Sequence, residues 1–291
     1  MKANQPENEP PESEFRLTNE AQAKLDDFFR CFAGAARPSL LLDYDGTLAP
    51  FRVDRFKAQP WAGARELLNR IQSQGRTHMV VVTGRPAQEI LPLLRVEAAP
   101  EIWGLHGAER LHANGRREFE QLSPAVRAEL DALSAQLKRD AGGGLVEEKP
   151  NAVVMHWRGV TPARAKAIEK RTRALFEPAA TNKGLNLLEF EAGLELRAGR
   201  DKGGAVTAIL EESSGPGRHP AAYLGDDLTD ESAFRAIKGH GLGVLVRRQP
   251  RPTAADVWLR PPEDLRDFLK MWLHACAHLQ SNLYDPLFDS R

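Results

Sequence analysis

Short apolar segments typical of buried strands alternate with segments that carry apolar residues at helical spacing. Early in the chain, strand patterns cover residues 39–44, 78–82 and 102–105, and helical patterns cover 20–34, 63–74 and 86–95. Later elements with the same alternation are helix 203–213, strands 221–224 and 241–246, a helix that begins near 231, and helix 264–279. Strands that alternate with helices form right-handed βαβ crossovers. We therefore predict an α/β core with a Rossmann-like parallel sheet.

The middle of the chain has a different pattern, in which pairs of strands follow single helices. Its elements in chain order are helix 124–140, strands 145–149 and 152–158, helix 162–177, and strands 186–190 and 193–197, with turns at Gly142-Gly143-Gly144 and Glu191-Ala192-Gly193. This αββαββ order predicts an inserted α+β unit with an antiparallel sheet. We expect an N-terminal tail and helix at 1–36, a core domain at 37–112 and 199–291, and a cap domain at 113–198.

The composition narrows the class of protein. With 42% hydrophobic residues, 27% charged residues and a formal net charge of zero, the chain has no basic block for nucleic acid or a membrane surface. Cys31 and Cys276 lie in apolar helical patterns outside any CxxC pair, which indicates buried free thiols in a reducing compartment. Residues 1–14 resemble a disordered tail, and no apolar run approaches the roughly 18–20 residues of a membrane helix. We expect a soluble, cytoplasmic monomer that acts on a small molecule.

Two carboxylates interrupt the first strand pattern where it ends. The apolar run 40–42 leads directly into Asp43-Tyr44-Asp45-Gly46-Thr47, and ligands of open α/β sheets gather at the carboxyl ends of strands. Carboxylates held this close repel each other unless they share a cation or a proton. Asp43 could attack phosphorus, while Asp45 could protonate the leaving alcohol and later activate water. Gly46 permits a tight bend and exposes backbone amides that suit phosphate oxygens.

Three later segments place further reactive groups at strand ends or helix starts. Thr83-Gly84-Arg85 offers a hydroxyl and an amide to a phosphate at a helix N-terminus. Lys202 could pair with both a phosphate and Asp43, which would keep the nucleophile ionised. The acidic segment that contains Asp226, Asp227 and Asp230 offers the oxygen ligands that Mg²⁺ requires. Together the four segments predict a Mg²⁺-assisted phosphoryl site.

The order of these segments resembles that of the haloacid dehalogenase (HAD) superfamily, and the αββαββ insertion resembles its larger cap type. Over about residues 37–280 the chain is similar to trehalose-6-phosphate phosphatases, in the segments 43–50, 105–109, 195–203 and 225–231. The resemblance implies removal of the 6-phosphate from trehalose 6-phosphate with Mg²⁺, through an aspartyl phosphate, under a closing cap.

The same resemblance implies a role for each motif residue. Asp43 would be the nucleophile, Asp45 the acid and base, and Thr83 and Lys202 the phosphate ligands. Gly46 and Gly84 are further candidate phosphate ligands through their backbone amides, on the positions described above. Asp226 would hold the metal together with Asp43 and the backbone carbonyl of Asp45, with Asp227 and Asp230 nearby. The family usually has proline where this chain has Ala198, which predicts a looser cap hinge.

The cap should supply most contacts with the sugar, because the core already holds the phosphate. Sugar hydroxyls favour charged and amide groups with fixed geometry. Strand alternation in residues 154–158 places His156 and Arg158 on one face with Val154. The candidate substrate ligands are Arg85, His106, Glu109, Lys149, His156, Arg158 and Glu195.

Several of these residues also have plainer interpretations. Thr83, Asp227 and Asp230 could simply cap helices; Lys202, Lys149 and Arg158 could be solvated charges; and His156 could be structural. A phosphatase for another glycoside phosphate, such as sucrose or glucosylglycerol phosphate, would share the core residues and differ in its cap. A phosphomutase is less favoured because its cap must retain a bisphosphate, and a silent sensor because every reactive group is present.

Overall fold

The computed structural model of the protein describes residues 18–278, apart from 33–34, 53, 142–144, 182–183, 191 and 214–218. The predicted tail at 1–14 and the Gly142-Gly143-Gly144 turn lie outside the described residues, as does Glu191 of the second predicted turn. The strands are β1 Ser39–Leu42, β2 His78–Val82, β3 Glu101–Gly104, β4 Glu109–Leu111, β5 Arg117–Phe119, β6 Val146–Lys149, β7 Ala152–His156, β8 Leu185–Phe190, β9 Gly193–Ala198, β10 Ala221–Gly225, β11 Gly241–Val246 and β12 Val257–Leu259. The helices are α1 Asn19–Arg30, α2 Ala64–Ser73, α3 Ala87–Leu94, α4 Pro124–Ala141, α5 Pro162–Ala180, α6 Lys202–Ser213, α7 Glu231–Ala236 and α8 Glu263–His278.

The larger sheet has eight strands in the order β12-β11-β10-β1-β2-β3-β4-β5, and the first six are parallel. Helices cover both of its faces. Along β1, Leu40 and Leu42 pack with α1, α2, α3 and α8, whereas Leu41 packs with α6 and α7. A strand buried on both faces requires a continuous apolar run, which explains the Leu40–Leu42 pattern. The predicted α/β fold with a parallel sheet is confirmed.

The smaller sheet has four antiparallel strands in the order β6-β7-β9-β8. One of its faces packs on α4 and α5 through residues such as Val153, Met155, Leu194 and Leu196. The alternate residues face the edge of the larger sheet at which β1 ends. We call residues 124–198, which include this sheet and its two helices, the cap unit, and the remaining described residues the core unit.

Some element boundaries differ from those predicted. The short strands β4, β5 and β12 were not predicted, because three-residue strands carry too little periodic pattern. Since β5 pairs with β4, the larger sheet extends to residue 119, beyond the predicted core boundary at 112. Strand β7 ends at His156 rather than residue 158, where the chain turns towards Gly159 with φ of +81°. The division into mobile domains stays a prediction.

Two chain segments connect the units, at residues 120–123 and 199–201, and one carboxylate joins them. Oε2 of Glu120 accepts a hydrogen bond of 2.7 Å from the backbone N–H of Arg200. Gly199 between the units has φ of +87°, and a Cβ there would lie 2.4 Å from the same Glu120 oxygen. Glycine is therefore required where the chain returns to the core unit.

The end of β9 is fixed by a pair of hydrogen bonds. The N–H of Ala198 donates to the carbonyl of Asn151 at 2.8 Å, and Nδ2 of Asn151 donates to the carbonyl of Ala198 at 2.9 Å. Proline has no N–H and could not make the first of these bonds. The structure therefore does not support the looser hinge predicted from Ala198.

Both cysteines are free thiols, as predicted. Cys276 is buried beside Thr77, with Sγ 3.5 Å from the threonine hydroxyl, and Cys31 is half-buried. Within the described part of the chain, the helices lack the length and apolar character needed to cross a membrane.

Candidate active site

Acidic residues from separate segments meet at one edge of the larger sheet. Adjacent parallel strands β1 and β10 pair Leu42 with Leu224, so Asp43 and Asp226 leave the sheet side by side. The N–H of Asp43 donates to the carbonyl of Leu224 at 2.9 Å. Carboxylate oxygens of Asp43, Asp226 and Asp230 all lie within 4.8 Å of one another. Three buried carboxylates therefore share one small volume.

Lys202, the first residue of α6, lies between two of these acids. Its Nζ donates to Oδ1 of Asp43 and to Oδ1 of Asp230, each at 2.7 Å. Burial by itself would lower the pKa of the lysine, but the two carboxylates outweigh it and raise the pKa above its ordinary value. Lys202 is therefore a buried, permanently charged partner of the candidate nucleophile rather than a solvated surface lysine.

Asp230 has no acceptor position left for a metal ion. Oδ1 accepts hydrogen bonds from Lys202 and from the hydroxyl of Tyr223 at 2.5 Å, and Oδ2 accepts from the N–H groups of Asp226 and Asp227 at 3.0 and 2.9 Å. A carboxylate has about four acceptor positions, and all are used here. Asp227 is exposed, and its backbone carbonyl accepts from the N–H of Asp230 at 3.0 Å at the start of the short 3-10 turn. Asp230 thus orients Lys202 and this loop.

Asp43 and Asp226 remain as carboxylates that could bind a cation. Burial raises the pKa of Asp43 to about 7, although Lys202 opposes it, and burial with the charge of Asp43 raises the pKa of Asp226 to about 9. Buried acids of this kind retain protons at neutral pH unless a cation replaces them. The two carboxylates form a hard oxygen donor set. This donor set fits Mg²⁺.

Gly46 makes room for one of these carboxylates. Its φ is +84°, and a Cβ at this position would lie 2.0 Å from Oδ2 of Asp226. Its N–H donates to the carbonyl of Ala49 at 2.7 Å. The structure therefore does not give Gly46 the predicted role of amide donor to phosphate, because that amide closes the loop. Because Gly46 has no side chain, the carboxylate of Asp226 can lie directly against it.

The second motif lies opposite, at the end of β2. Oγ1 of the buried Thr83 accepts from the N–H of Arg85 at 3.2 Å, which leaves the hydroxyl proton to be donated to a phosphate. The ring of His106 covers Gly84, where a Cβ would lie 2.6 Å from Nε2. Burial, with the nearby cations Arg197, Lys202 and Lys149, holds the pKa of His106 well below its ordinary range. The imidazole is therefore neutral at physiological pH.

Arg85 lies against the candidate acid and base rather than in open solvent. Nη1 of Arg85 lies 3.4 Å from Oδ1 of Asp45 and donates to the carbonyl of Arg55 at 3.0 Å. Its Nε and Nη2 both donate to Oε2 of Glu89. Burial raises the pKa of Asp45, and the guanidinium of Arg85 opposes this shift. Four of the five N–H donors of Arg85 are thus engaged within the core unit, but the residue also lines the cleft described below, and its sugar contact stays a prediction.

A cleft of about 940 Å³ separates this edge of the core unit from the cap unit. The strand register arranges the cleft-facing cap residues in three rows, which run from the hinge outwards. The inner row contains Lys149 and Arg197, the middle row Glu147 and Glu195, and the outer row His156 and Phe190.

Polar side chains pair between neighbouring rows. Nζ of Lys149 lies 2.7 Å from Oε2 of Glu195, and Nε2 of His156 lies 2.9 Å from Oε2 of Glu147. Each pair keeps further donor or acceptor positions that can face a ligand. The structure therefore brings the predicted residues Lys149, His156, Glu195 and His106 to the cleft.

Two predicted sugar ligands lie elsewhere. Glu109 is fully buried, where it accepts from the N–H of Ala87 at 2.9 Å and from Nε of Arg117. It therefore stabilises the start of α3 and the attachment of β5. Arg158 lies in an exposed turn after β7 and is not among the cleft residues, because the strand ends before the alternation can place it beside His156.

Three residues in or beside the candidate site were missed in the sequence. Glu147 shares a face with Lys149 at strand spacing, a signal that could have identified it. Arg197, which lies in the Glu195-x-Arg197 motif, is 4% exposed and has two guanidinium nitrogens without hydrogen-bond partners among the described residues. The contact between Tyr223 and Asp230 has no local signal, because it depends on how the loop after β10 folds back.

Comparisons with known proteins agree with this geometry. The family model described as trehalose-phosphatase matches residues 41–261. The chain is 28% identical over 289 residues to a probable trehalose-phosphate phosphatase 3 of Oryza sativa, with 85% of this chain and 76% of that protein covered. It is 30% identical over 274 residues to a trehalose-phosphate phosphatase of Mycobacterium avium, with 87% and 68% covered.

Solved structures share the fold. A trehalose-6-phosphate phosphatase of Aspergillus fumigatus superposes with a TM-score of 0.65 at 24% identity, over 87% of this chain and 97% of that one. A haloacid dehalogenase-like hydrolase of Bacteroides thetaiotaomicron superposes with a TM-score of 0.60 at 18% identity, over 80% and 98%. With a family match over most of its length, the chain belongs to the trehalose-phosphatase family and is a phosphoric monoester hydrolase.

Proposed function

We propose that the protein hydrolyses trehalose 6-phosphate to trehalose and phosphate, with Mg²⁺, through a phosphoenzyme on Asp43. The observation that carries this proposal is the pairing of Asp43 with the buried Lys202 beside Asp226, across one cleft from the charged rows of the cap unit. Burial favours a proton on Asp43, whereas Lys202 on one of its oxygens, together with a bound Mg²⁺, would favour the carboxylate. The arrangement suits a nucleophile that must be ionised.

Each core-unit residue of the candidate active site has a distinct role in the proposed reaction. Asp43 attacks phosphorus, while Lys202 and the hydroxyl of Thr83 hold phosphate oxygens in line. Asp45 protonates the leaving sugar oxygen, then takes a proton from the water that hydrolyses the aspartyl phosphate. A bound Mg²⁺, held by Asp43, Asp226 and the carbonyl of Asp45, would supply Lewis-acid stabilisation of the phosphoryl charge.

The cap unit is proposed to hold the sugar. Glu147, Lys149 and Glu195 present charged groups to the cleft, which suits the hydroxyl groups of a disaccharide. The names of the relatives in rice and Mycobacterium avium support trehalose phosphate as the substrate. We also propose that the two units move as domains over the substrate and exclude bulk water.

A substrate panel tests the proposal. Phosphate release should be fastest with trehalose 6-phosphate, should require Mg²⁺, and should be slower with sucrose phosphate, glucosylglycerol phosphate and glucose 6-phosphate. Faster release from another glycoside phosphate would reassign the substrate. Isomer formation without free phosphate would indicate a phosphomutase, and binding without reaction would indicate a sensor.

The variant Asp43→Asn tests the nucleophile. It should abolish turnover and phosphoenzyme formation while the fold persists by circular dichroism, because an amide oxygen is a poor nucleophile. The matched control is Asp54→Asn, an exposed cap of a short 3-10 turn, which should retain activity. Substantial Mg²⁺-dependent turnover by Asp43→Asn would rule out the assignment.

A further inference from the structure

Phe190 is an exposed aromatic residue at the outer end of the cleft. It is the last residue of β8, is 39% exposed, and lies in the cleft wall together with Leu188. Strand register pairs it with Gly193 on β9, and Gly193 in turn with His156 on β7. Exposure of a large apolar side chain to water is unfavourable, and a ligand that covers this side chain would remove that cost.

The ring of Phe190 is held in place by contacts with two neighbouring residues. A Cβ at Gly193 would lie 2.0 Å from its Cζ, so the ring occupies the space that any other residue at 193 would fill. The His156 ring meets it edge-on, with centroids 5.6 Å apart and planes at 62°. Nε2 of His156 is in turn held by Glu147 at 2.9 Å. Gly193 and His156 therefore both lie against the ring, and the exposed part of the ring belongs to the cleft wall.

The three rows of the cap unit show where along the cleft the Phe190 ring lies. The phosphate end is defined by Lys202 and Asp43, and the inner row with Lys149 lies nearest to the hinge. Successive rows are two residues apart along a strand, which is about 7 Å. The outer row is therefore two such steps from the inner row. We therefore expect the first ring of a sugar phosphate anchored in the core unit to lie along the inner and middle rows, and a second ring to reach the outer row.

We propose that Phe190 is a specificity-determining residue that stacks against the sugar ring farther from the phosphate. The ring carbons of a pyranose present an apolar C–H face, which matches an aromatic face, while its hydroxyl groups reach the charged residues of the middle row. The inference rests on the proposed function, since it assumes a disaccharide phosphate as substrate. It adds a reason why a disaccharide phosphate would be preferred over a monosaccharide phosphate.

The test compares three variants on two substrates. Phe190→Ala should raise KM for trehalose 6-phosphate about tenfold, with kcat changed less than twofold, because one stacking contact is lost. Hydrolysis of 4-nitrophenyl phosphate, which has no sugar, should lose less than twofold in kcat/KM. Phe190→Trp should keep KM within threefold of the unsubstituted protein, and Phe190→Leu should behave as Phe190→Ala.

Three results would overturn the inference: an unchanged KM in Phe190→Ala, equal losses on both substrates, or equal KM values for the Leu and Trp variants. The last would mean that bulk rather than the aromatic face matters. Failure of the proposed function is separate, because it appears as absent trehalose 6-phosphate hydrolysis in the unsubstituted protein before any variant is made.

Discussion

Gly46 and Asp226 approach each other so closely that a Cβ on residue 46 would lie 2.0 Å from Oδ2 of Asp226. The two residues lie in the loops that follow β1 and β10, 180 positions apart in the chain. The contact fixes where the carboxylate of Asp226 can lie, and therefore where a cation can bind.

The variant Gly46→Ala should displace Asp226 and weaken the cation site. The side chain would clash with the carboxylate, and φ of +84° is unfavourable for alanine. We expect the concentration of Mg²⁺ needed for half-maximal activity to rise by at least tenfold, measured by Mg²⁺ titration of phosphate release. Gly75→Ala is the matched control, because it has a similar φ of +68° with open space around it. An unchanged Mg²⁺ requirement would contradict the role given to Gly46.

Without a cation, the stability of the protein should fall as pH rises through neutrality. Burial raises the pKa of Asp43 to about 7 and of Asp226 to about 9, from a value of 3.8 in the unfolded chain. The folded state thus binds more protons, so this contribution is complete below about pH 4 and is lost progressively towards pH 9.

Added Mg²⁺ should reverse this loss, because it binds the deprotonated carboxylates. The increase in Tm on adding Mg²⁺ should therefore be larger at about pH 8.5 than at about pH 5.5, as measured by thermal denaturation. Asp226→Asn should abolish most of the difference. An equal shift at both pH values would argue against Asp43 and Asp226 as the site.

Glu109 should contribute to stability rather than to sugar binding. It is fully buried and accepts hydrogen bonds from Ala87 and Arg117, so Glu109→Ala leaves both donors unpaired. We expect a loss of about 2–4 kcal/mol in the free energy of unfolding, measured with urea. KM of the folded protein should change little, and Glu109→Gln should lose less stability. A selective rise in KM without loss of stability would return Glu109 to the substrate site.

Arg85 should act by positioning Asp45. Its guanidinium lies 3.4 Å from Asp45 and makes two hydrogen bonds to Glu89, a geometry that a lysine cannot reproduce. Arg85→Lys should lower kcat about tenfold with KM nearly unchanged, as measured by steady-state phosphate release. The control Arg65→Lys, in an exposed pair with Glu66, should have normal kinetics. A large rise in KM instead would indicate direct sugar contact.

The sequence predicted the parts of the molecule that depend on local pattern. The apolar run before Asp43 and the one before Asp226 both predicted parallel strand ends, and the two acids do meet. The four cap strands were likewise predicted from alternation. Strands β4 and β5 were not, because their stability comes from pairing with β3 rather than from a pattern of their own.

Side-chain partners were harder to predict than elements. Arg85 and Asp45 are 40 residues apart, and only the folded loop brings them together. Glu109 follows a glycine turn, as a ligand could, but the chain directs its carboxylate inwards to the N–H of Ala87. Such roles depend on which side chains the fold brings together, and this cannot be predicted from composition or from spacing along the chain.

The bond from Glu120 to the N–H of Arg200 holds the two connecting segments side by side. Any rotation of the cap unit therefore has an axis close to this pair, and displacement grows with distance from the axis. Lys149 in the inner row would move least, and Phe190 in the outer row most. A small angular change would therefore expose the outer end of the cleft to solvent first, so that in the proposed reaction the released sugar could diffuse away while the phosphoryl group on Asp43 is still enclosed.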